Sequence, residues 1–228
     1  MCGRFSIGTS QEMLEDYFDA KFEETFKPNY NAAPSQSLPV ILNKDPLHII
    51  LAPWGIKPVW LEHSNIKRKD GLINIRAETL KEKATFKKDL KERRCLVISD
   101  GYYEWKKTDK GKIPYRFILK KQMPFAFAGL WEQNEGEERF AVITTTPNKM
   151  AVKVHHRMPV ILNMKEKDAW LDADLDPIKA LKMLDPYPEK EMEYFEVSKT
   201  LNSARFNDIR LTQKISNSQN IIDKSKNF

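Results

Sequence analysis

The sequence predicts an α+β fold in a single domain, with a mainly antiparallel, barrel-like sheet and flanking helices. Three observations carry this expectation. Short runs rich in Ile, Val, Phe and Tyr recur through the middle of the chain, separated by turn residues. Helical patterns are interspersed among them without regular strand–helix alternation. Across 228 residues no repeat, low-complexity linker or break in composition marks a boundary, so one domain spans 1–228.

Thr9 and Glu12 form a capping-box pattern, and Leu14, Tyr17 and Phe18 fall on one face, which predicts a short helix near 10–20. The segment Pro28–Pro39, rich in Pro, Asn and Ser, reads as an ordered loop. Strands are predicted at Leu38–Leu42, Leu47–Ala52, Cys95–Ser99, Tyr102–Lys106, Tyr115–Leu119, Phe125–Trp131 and Phe140–Thr145. Turns at Lys44-Asp45-Pro46, Asp109-Lys110-Gly111 and Asn134-Glu135-Gly136 separate some of them. Helices are expected at 79–92, 147–153, 165–171 and 177–184, and the polar stretch from 213 to 228 as a loosely held tail.

Composition narrows the class of function. Hydrophobic residues at 41% and aromatics at 11% are enough for a real core and exclude wholesale disorder. Two cysteines exclude a disulfide scaffold and a cysteine-rich zinc module. No stretch approaches the roughly 18 apolar residues of a membrane span, and the N-terminus lacks a signal-peptide pattern. A cytoplasmic protein in a reducing compartment is expected, nucleoid-associated if bacterial.

The net charge of +6 is unevenly spread. Residues 57–121 hold 19 basic and 9 acidic residues, a local net of +10, while the remainder carries 19 basic and 23 acidic residues. The clusters are Lys67-Arg68-Lys69, Lys81 to Arg94, and Lys106-Lys107 through Lys121. Such a segment suits a polyanion, although lysines interleaved with acids also serve as a solvated face.

Cys2 directly follows the initiator methionine. Trimming Met1 leaves a free amine two carbons from a thiol. An α-amine with a typical pKa of about 7.7–8.0 is substantially unprotonated at neutral pH. It condenses with an aldehyde to an imine, and the adjacent thiol closes a thiazolidine ring at high effective molarity. Gly3 permits close approach, and Arg4 offers an anion contact. Cys95, opening an apolar run, is expected in the core.

Three further signals are polar. Asn74 and Arg76 share a face if their segment is extended. Glu104 lies inside the aromatic run Gly101-Tyr102-Tyr103-Glu104-Trp105, where desolvation raises a carboxyl pKa and suits acid/base work; a lysine salt bridge is the other reading. In His155-His156-Arg157-Met158-Pro159, adjacent histidines face opposite ways and cannot readily share a metal. One catalytic histidine with a phosphate-binding arginine fits better, and neither a metal nor another cofactor is expected.

Met-Cys-Gly-Arg-Phe at 1–5, Tyr-Asn-Ala-Ala-Pro at 30–34, Trp-Gly at 54–55, Ile-Asn-Ile-Arg-Ala-Glu-Thr at 73–79, Gly-Tyr-Tyr-Glu-Trp at 101–105 and His-His-Arg-Met-Pro at 155–159 occur in order. Together they resemble the SOS-response-associated peptidase (SRAP) family of abasic-site processing proteins, the HMCES and YedK type. The resemblance implies that Met1 is removed and that Cys2 is the catalytic N-terminus. It also assigns catalytic positions to Asn74, Glu104 and His155, the last preferred over His156 by the family pattern His, any residue, Arg-Met-Pro. Arg4, Asn31, Pro34, Trp60, Arg76 and Arg157 are the expected DNA contacts.

The implied partner is single-stranded DNA containing abasic sites, met by a monomer. The implied activity is a covalent thiazolidine cross-link between Cys2 and the opened sugar, in support of DNA damage repair. Two alternatives stand beside it. One is a cysteine-type (auto)peptidase using Cys2, His155 and Glu104 to remove Met1. The other is a non-enzymatic single-stranded DNA-binding protein resting on the basic segment and the tryptophans.

Overall fold

A computed structural model describes residues 2–58, 70–82 and 85–215 of the chain. In order, its first half contains β1 (Arg4–Ile7), α1 (Gln11–Phe18), β2 (Lys21–Phe22), β3 (Asn29–Ala32), β4 (Ser37–Leu42), β5 (Asp45–Pro53), β6 (Asn74–Arg76), α2 (Ala77–Glu82), α3 (Thr85–Glu92) and β7 (Arg94–Ser99). The second half contains β8 (Gly101–Thr108), β9 (Gly111–Leu119), β10 (Phe125–Asn134), β11 (Glu137–Thr145), β12 (Met158–Pro159), β13 (Ile161–Leu162), α4 (Met164–Leu171), α5 (Pro177–Lys182) and β14 (Met192–Glu196).

These strands form two sheets. One has the order β14-β9-β8-β1-β3 and is antiparallel throughout. The other runs β12-β11-β10-β7-β4-β5-β2, with β13 added to β10 and β6 to β11. Among the described residues, the parallel strand pairs of this second sheet are β2–β5 and β6–β11. The α+β class and the mainly antiparallel pairing are as expected. The barrel is not: among the described residues neither sheet closes on itself.

Aromatic rings fill the space between the sheets. Phe5 of β1 meets Trp54 edge-on at 4.9 Å and Phe127 of β10 at 5.6 Å, and Tyr102 of β8 meets Phe127 at 6.2 Å. The second sheet is also covered on its far side, which explains why β7 (Arg-Cys-Leu-Val-Ile-Ser) is buried at every residue rather than alternating. There α4 lies against it, the Trp170 indole donating to the Cys95 carbonyl at 3.0 Å. Cys95 itself is buried in this core.

Arg94 ties that layer together. Fully buried, its guanidinium donates to the Leu90 and Lys91 carbonyls at 2.5 and 2.6 Å, to Trp170 at 2.7 Å and to Asp172 at 2.5 Å. One cation therefore satisfies the orphan carbonyls at the C-termini of both α3 and α4.

Several element boundaries differ from expectation for local reasons. The cap of α1 is Ser10, whose hydroxyl accepts from the Met13 amide; Thr9 is held instead by Asp100, which accepts from its amide at 3.1 Å. The loop expected over Pro28–Pro39 contains β3 and the start of β4, because strand pairing outweighs the turn preference of Pro and Asn. The helix expected at 79–92 is two helices, α2 and α3. At 147–153 only a 3-10 turn, Ala151–Lys153, forms, since the Asn148 side chain accepts from the Met150 and Ala151 amides. The tail is described only to residue 215.

Arg94→Met should leave those helix-end carbonyls unpaired in the interior and destabilise the fold by on the order of 3 kcal/mol. A lowered urea midpoint with an unchanged far-UV spectrum is the expected reading; an unchanged midpoint would show that the capping role is dispensable.

Candidate active site

The N-terminal strand is the centre of the site. β1 lies between β3 and β8, with Arg4 opposite Tyr103 and Phe5 opposite Tyr102. That placement draws Cys2 into the interior, where it is fully buried. From β6, the Asn74 amide donates to the Cys2 carbonyl at 2.8 Å, while its own Oδ1 is buried without a partner. From β8 comes Glu104, 4% exposed, and from the turn after Ala151–Lys153 comes His155, with Nδ1 3.6 Å from Glu104 Oε1. The four residues expected to be catalytic are thus brought to one place by four separate chain segments.

Their electrostatics diverge. Burial, reinforced by the negative charge of Glu104, pushes the Cys2 thiol far above its ordinary range. Burial also pushes the Glu104 carboxyl up to about 7. For His155 the same loss of water acts in the opposite direction, lowering the imidazolium to about 4. Near neutrality, therefore, Glu104 is poised between acid and base while His155 is neutral.

The backbone of Arg157 bears on the His155 tautomer. Its N–H donates to Nδ1 at 3.1 Å, which places the ring proton on Nε2; with Nδ1 protonated, the Arg157 carbonyl at 3.3 Å can accept instead. The second ring, His156, is exposed and lies 4.3 Å from His155 between centroids.

The expected DNA contacts divide. Arg76 is exposed and available to a phosphate. Pro34 sits half-buried in the turn between β3 and β4. Arg4 is turned inward, donating to Asn31 Oδ1 at 2.5 Å and to the Leu201 carbonyl at 2.9 Å. Buried Asn31 donates to the carbonyls of Ser203 and Phe206 at 3.0 and 2.9 Å, so this pair anchors the C-terminal segment over β1 and β3. Arg157, 7% exposed, forks onto Glu78 at 2.7 and 2.9 Å and reaches the Thr144 carbonyl at 2.6 Å. Trp60 and the Lys67-Arg68-Lys69 cluster lie outside the described residues.

Beside Glu104 and His155 opens a groove of about 670 Å³, lined also by Trp105, Asn202 and the lysines 106, 107, 112 and 153. The first three lysines belong to the basic stretch visible in the sequence; Lys153 and Asn202 carry no sequence signal of their own. The Trp105 indole donates to Asn202 Oδ1 at 2.7 Å, which orients it along the groove wall. A separate trio, Glu23, Asp45 and His48, gathers within 4.8 Å at the surface near β2 and β5, away from these residues. Among the described residues no helix is long and apolar enough to cross a membrane.

The family model of the SOS response associated peptidase (SRAP) matches residues 1–204, and the chain belongs to that family. It is 38% identical over 224 residues to the abasic site processing protein YoqW of Bacillus subtilis (strain 168), covering 93% of this chain and 99% of that protein. It is 32% identical to the abasic site processing protein HMCES of Xenopus tropicalis over 84% of this chain and 69% of that protein. A crystal structure of a Bacteroides thetaiotaomicron protein shares the fold with a TM-score of 0.80 at 24% identity, covering 94% of this chain and 100% of the other.

The Glu104 environment makes a stability prediction. Its folded-state pKa of about 7 lies above the ordinary 4.5, so between these values the folded state binds more protons than the unfolded chain. Stability should therefore fall as pH rises from about 4.5 through 7. Glu104→Gln should remove that loss and melt a few degrees higher than wild type at pH 8, with little difference at pH 4.5. A variant less stable at both values would contradict the assignment.

Proposed function

We propose that this chain captures abasic sites in single-stranded DNA through a thiazolidine cross-link to Cys2. The observation that carries the reading is the convergence of Cys2, Asn74, Glu104 and His155 at the N-terminus of an SRAP-family chain. With Met1 removed, the Cys2 amine adds to the C1′ aldehyde of the opened sugar. Glu104 donates a proton to the resulting hydroxyl, which leaves as water, and an iminium forms. The Cys2 thiol then passes its proton to the Glu104 carboxylate as the sulfur bonds to C1′, and the C=N electron pair returns to nitrogen. One water is released overall.

His155, neutral at working pH, moves protons during sugar ring opening. Asn74 positions the N-terminal residue through the Cys2 carbonyl. Capture leaves C1′ without the aldehyde that promotes strand cleavage, so the damaged strand is protected for repair. Arg76 and the groove lysines attract flanking phosphates, Trp60 stacks on a base, and the Arg4–Asn31 pair holds the 201–206 segment, whose Asn202 lines the groove. The protein acts as a monomer in the cytoplasm. The peptidase activity in the family's name is read as removal of Met1 by the same residues.

Incubating Met1-free protein with abasic single-stranded DNA should yield an adduct that survives denaturing electrophoresis. Cys2→Ala, or protein that retains Met1, should yield none; equal cross-linking by either contradicts the mechanism. His155→Ala should slow adduct formation about 10²-fold or more while reversible DNA binding persists. Loss of that binding would remove its assigned role. With about four phosphate contacts, reversible affinity should drop on the order of fifty-fold between about 50 and 200 mM salt. A salt-independent affinity would detach the lysines from the DNA.

A further inference from the structure

The reaction proposed above gives two motif residues no task. Glu78 lies in Ile-Asn-Ile-Arg-Ala-Glu-Thr, shortly after Asn74, and Arg157 in His-His-Arg-Met-Pro, shortly after His155. The structure joins them. Arg157 Nη1 and Nη2 donate to Glu78 Oε1 and Oε2 at 2.7 and 2.9 Å, a fork that the point charge of a lysine does not reproduce. Nη2 also donates to the Thr144 carbonyl of β11 at 2.6 Å and to its hydroxyl at 3.3 Å. The guanidinium is buried, whereas the carboxylate, in the first turn of α2, is half-exposed. Its arginine partner holds the Glu78 carboxyl below the usual range, so the pair is ionised at working pH.

The pair sits at a junction of the segments that supply the site. Thr144 is opposite Arg76 of β6 on one side and Pro159 of β12 on the other. β6, which carries Asn74, runs directly into α2 and Glu78; the turn that carries His155 runs directly into Arg157 and β12. The fork therefore ties the Asn74 segment to the His155 segment. At its inner end it reaches the imidazole itself, because the Arg157 backbone N–H donates to His155 Nδ1 at 3.1 Å. Apolar side chains would fill such a space at less cost, since a buried ion pair repays its lost hydration poorly.

We propose that Glu78 is a positioning residue for the reaction, acting through Arg157 to fix the orientation and tautomer of the His155 ring. The inference rests on the function proposed above and deepens it. A group that moves protons must present the right nitrogen in the right form. The bond from the Arg157 N–H makes Nδ1 the acceptor and leaves the ring proton on Nε2. That backbone stays in place while the Arg157 side chain is anchored, and Glu78 supplies two of the acceptors in the anchor and its negative charge. Without that charge, a buried guanidinium has to turn toward water and carries residue 157 with it. Asn74 is held independently, by its bond to the Cys2 carbonyl.

Glu78→Gln tests this, keeping the size of the side chain while removing its charge and one acceptor. The imidazole nitrogens of Met1-free protein are followed by 15N NMR without DNA, His155 being assigned by its loss in His155→Ala. At neutral pH wild-type His155 should hold its proton on Nε2, and in Glu78→Gln the Nδ1–H form should appear at comparable population. Cross-linking of abasic single-stranded DNA should slow about tenfold, with reversible binding of an intact strand unchanged. Because Glu78 acts through the ring, the Glu78→Gln/His155→Ala double variant should be no slower than His155→Ala alone. An unchanged His155 spectrum overturns the proposal. So does an additive loss in the double variant, which would mark a purely structural ion pair, or a matching loss of reversible binding. If Glu78→Gln does not fold, Arg157→Lys, which cannot form the fork, is read by the same spectrum and the same cycle. If wild type fails to cross-link DNA, the proposed function falls, and the spectrum still decides whether Glu78 governs His155.

Discussion

The site depends on the insertion of β1 between β3 and β8. That strand carries Phe5 into the ring cluster joining the two sheets, where it touches both Trp54 and Phe127. With Phe5 fixed there, the residues before it have little freedom, and Cys2 is drawn into an interior that N-terminal residues of most proteins never enter. Asn74 then fixes its carbonyl, and the Arg4–Asn31 pair secures the outer face of β1 beneath the 201–206 segment. Packing and hydrogen bonds thus hold a stretch of chain that ordinarily frays.

Seclusion also determines the chemistry. A thiol, a carboxyl, an imidazole and the unpaired Asn74 Oδ1 share one poorly solvated region. Loss of water pushes the carboxyl up and the imidazole down, so Glu104 and His155 exchange their usual protonation preferences near neutrality. Such an arrangement lowers stability and is retained where a reaction uses it. Outside it, charges are conventionally partnered: Arg94 by helix carbonyls, Arg157 by Glu78, and Arg116 by Asp100 at 3.0 Å. Gly101 serves the last of these, since a Cβ there would meet Arg116 Nε at 2.7 Å.

Much of this was legible in the sequence, and the exceptions have physical causes. Strands with dense β-branched and aromatic residues, such as β7 and β10, announce themselves. β3 was hidden by Pro and Asn, whose turn preference yields to pairing with β1, and β14 reads Met-Glu-Tyr-Phe-Glu because it is an edge strand with wet positions. Asn74, Glu104 and His155 were found through ordered motifs, since no local periodicity relates residues brought together by long-range pairing. The commitment of Arg157 to Glu78 was not legible, because spacing alone does not reveal which of several acids faces an arginine.

The most direct measurement is the chemical identity of the protein–DNA adduct. Met1-free protein would be reacted with abasic single-stranded DNA, digested with protease and nuclease, and the adducted peptide sequenced by mass spectrometry. The peptide beginning at Cys2 should carry the sugar remnant at the mass of the two components less one water, with both amine and thiol blocked. An adduct on a groove lysine such as Lys107 or Lys153, or one leaving the Cys2 thiol free to alkylation, would contradict the account.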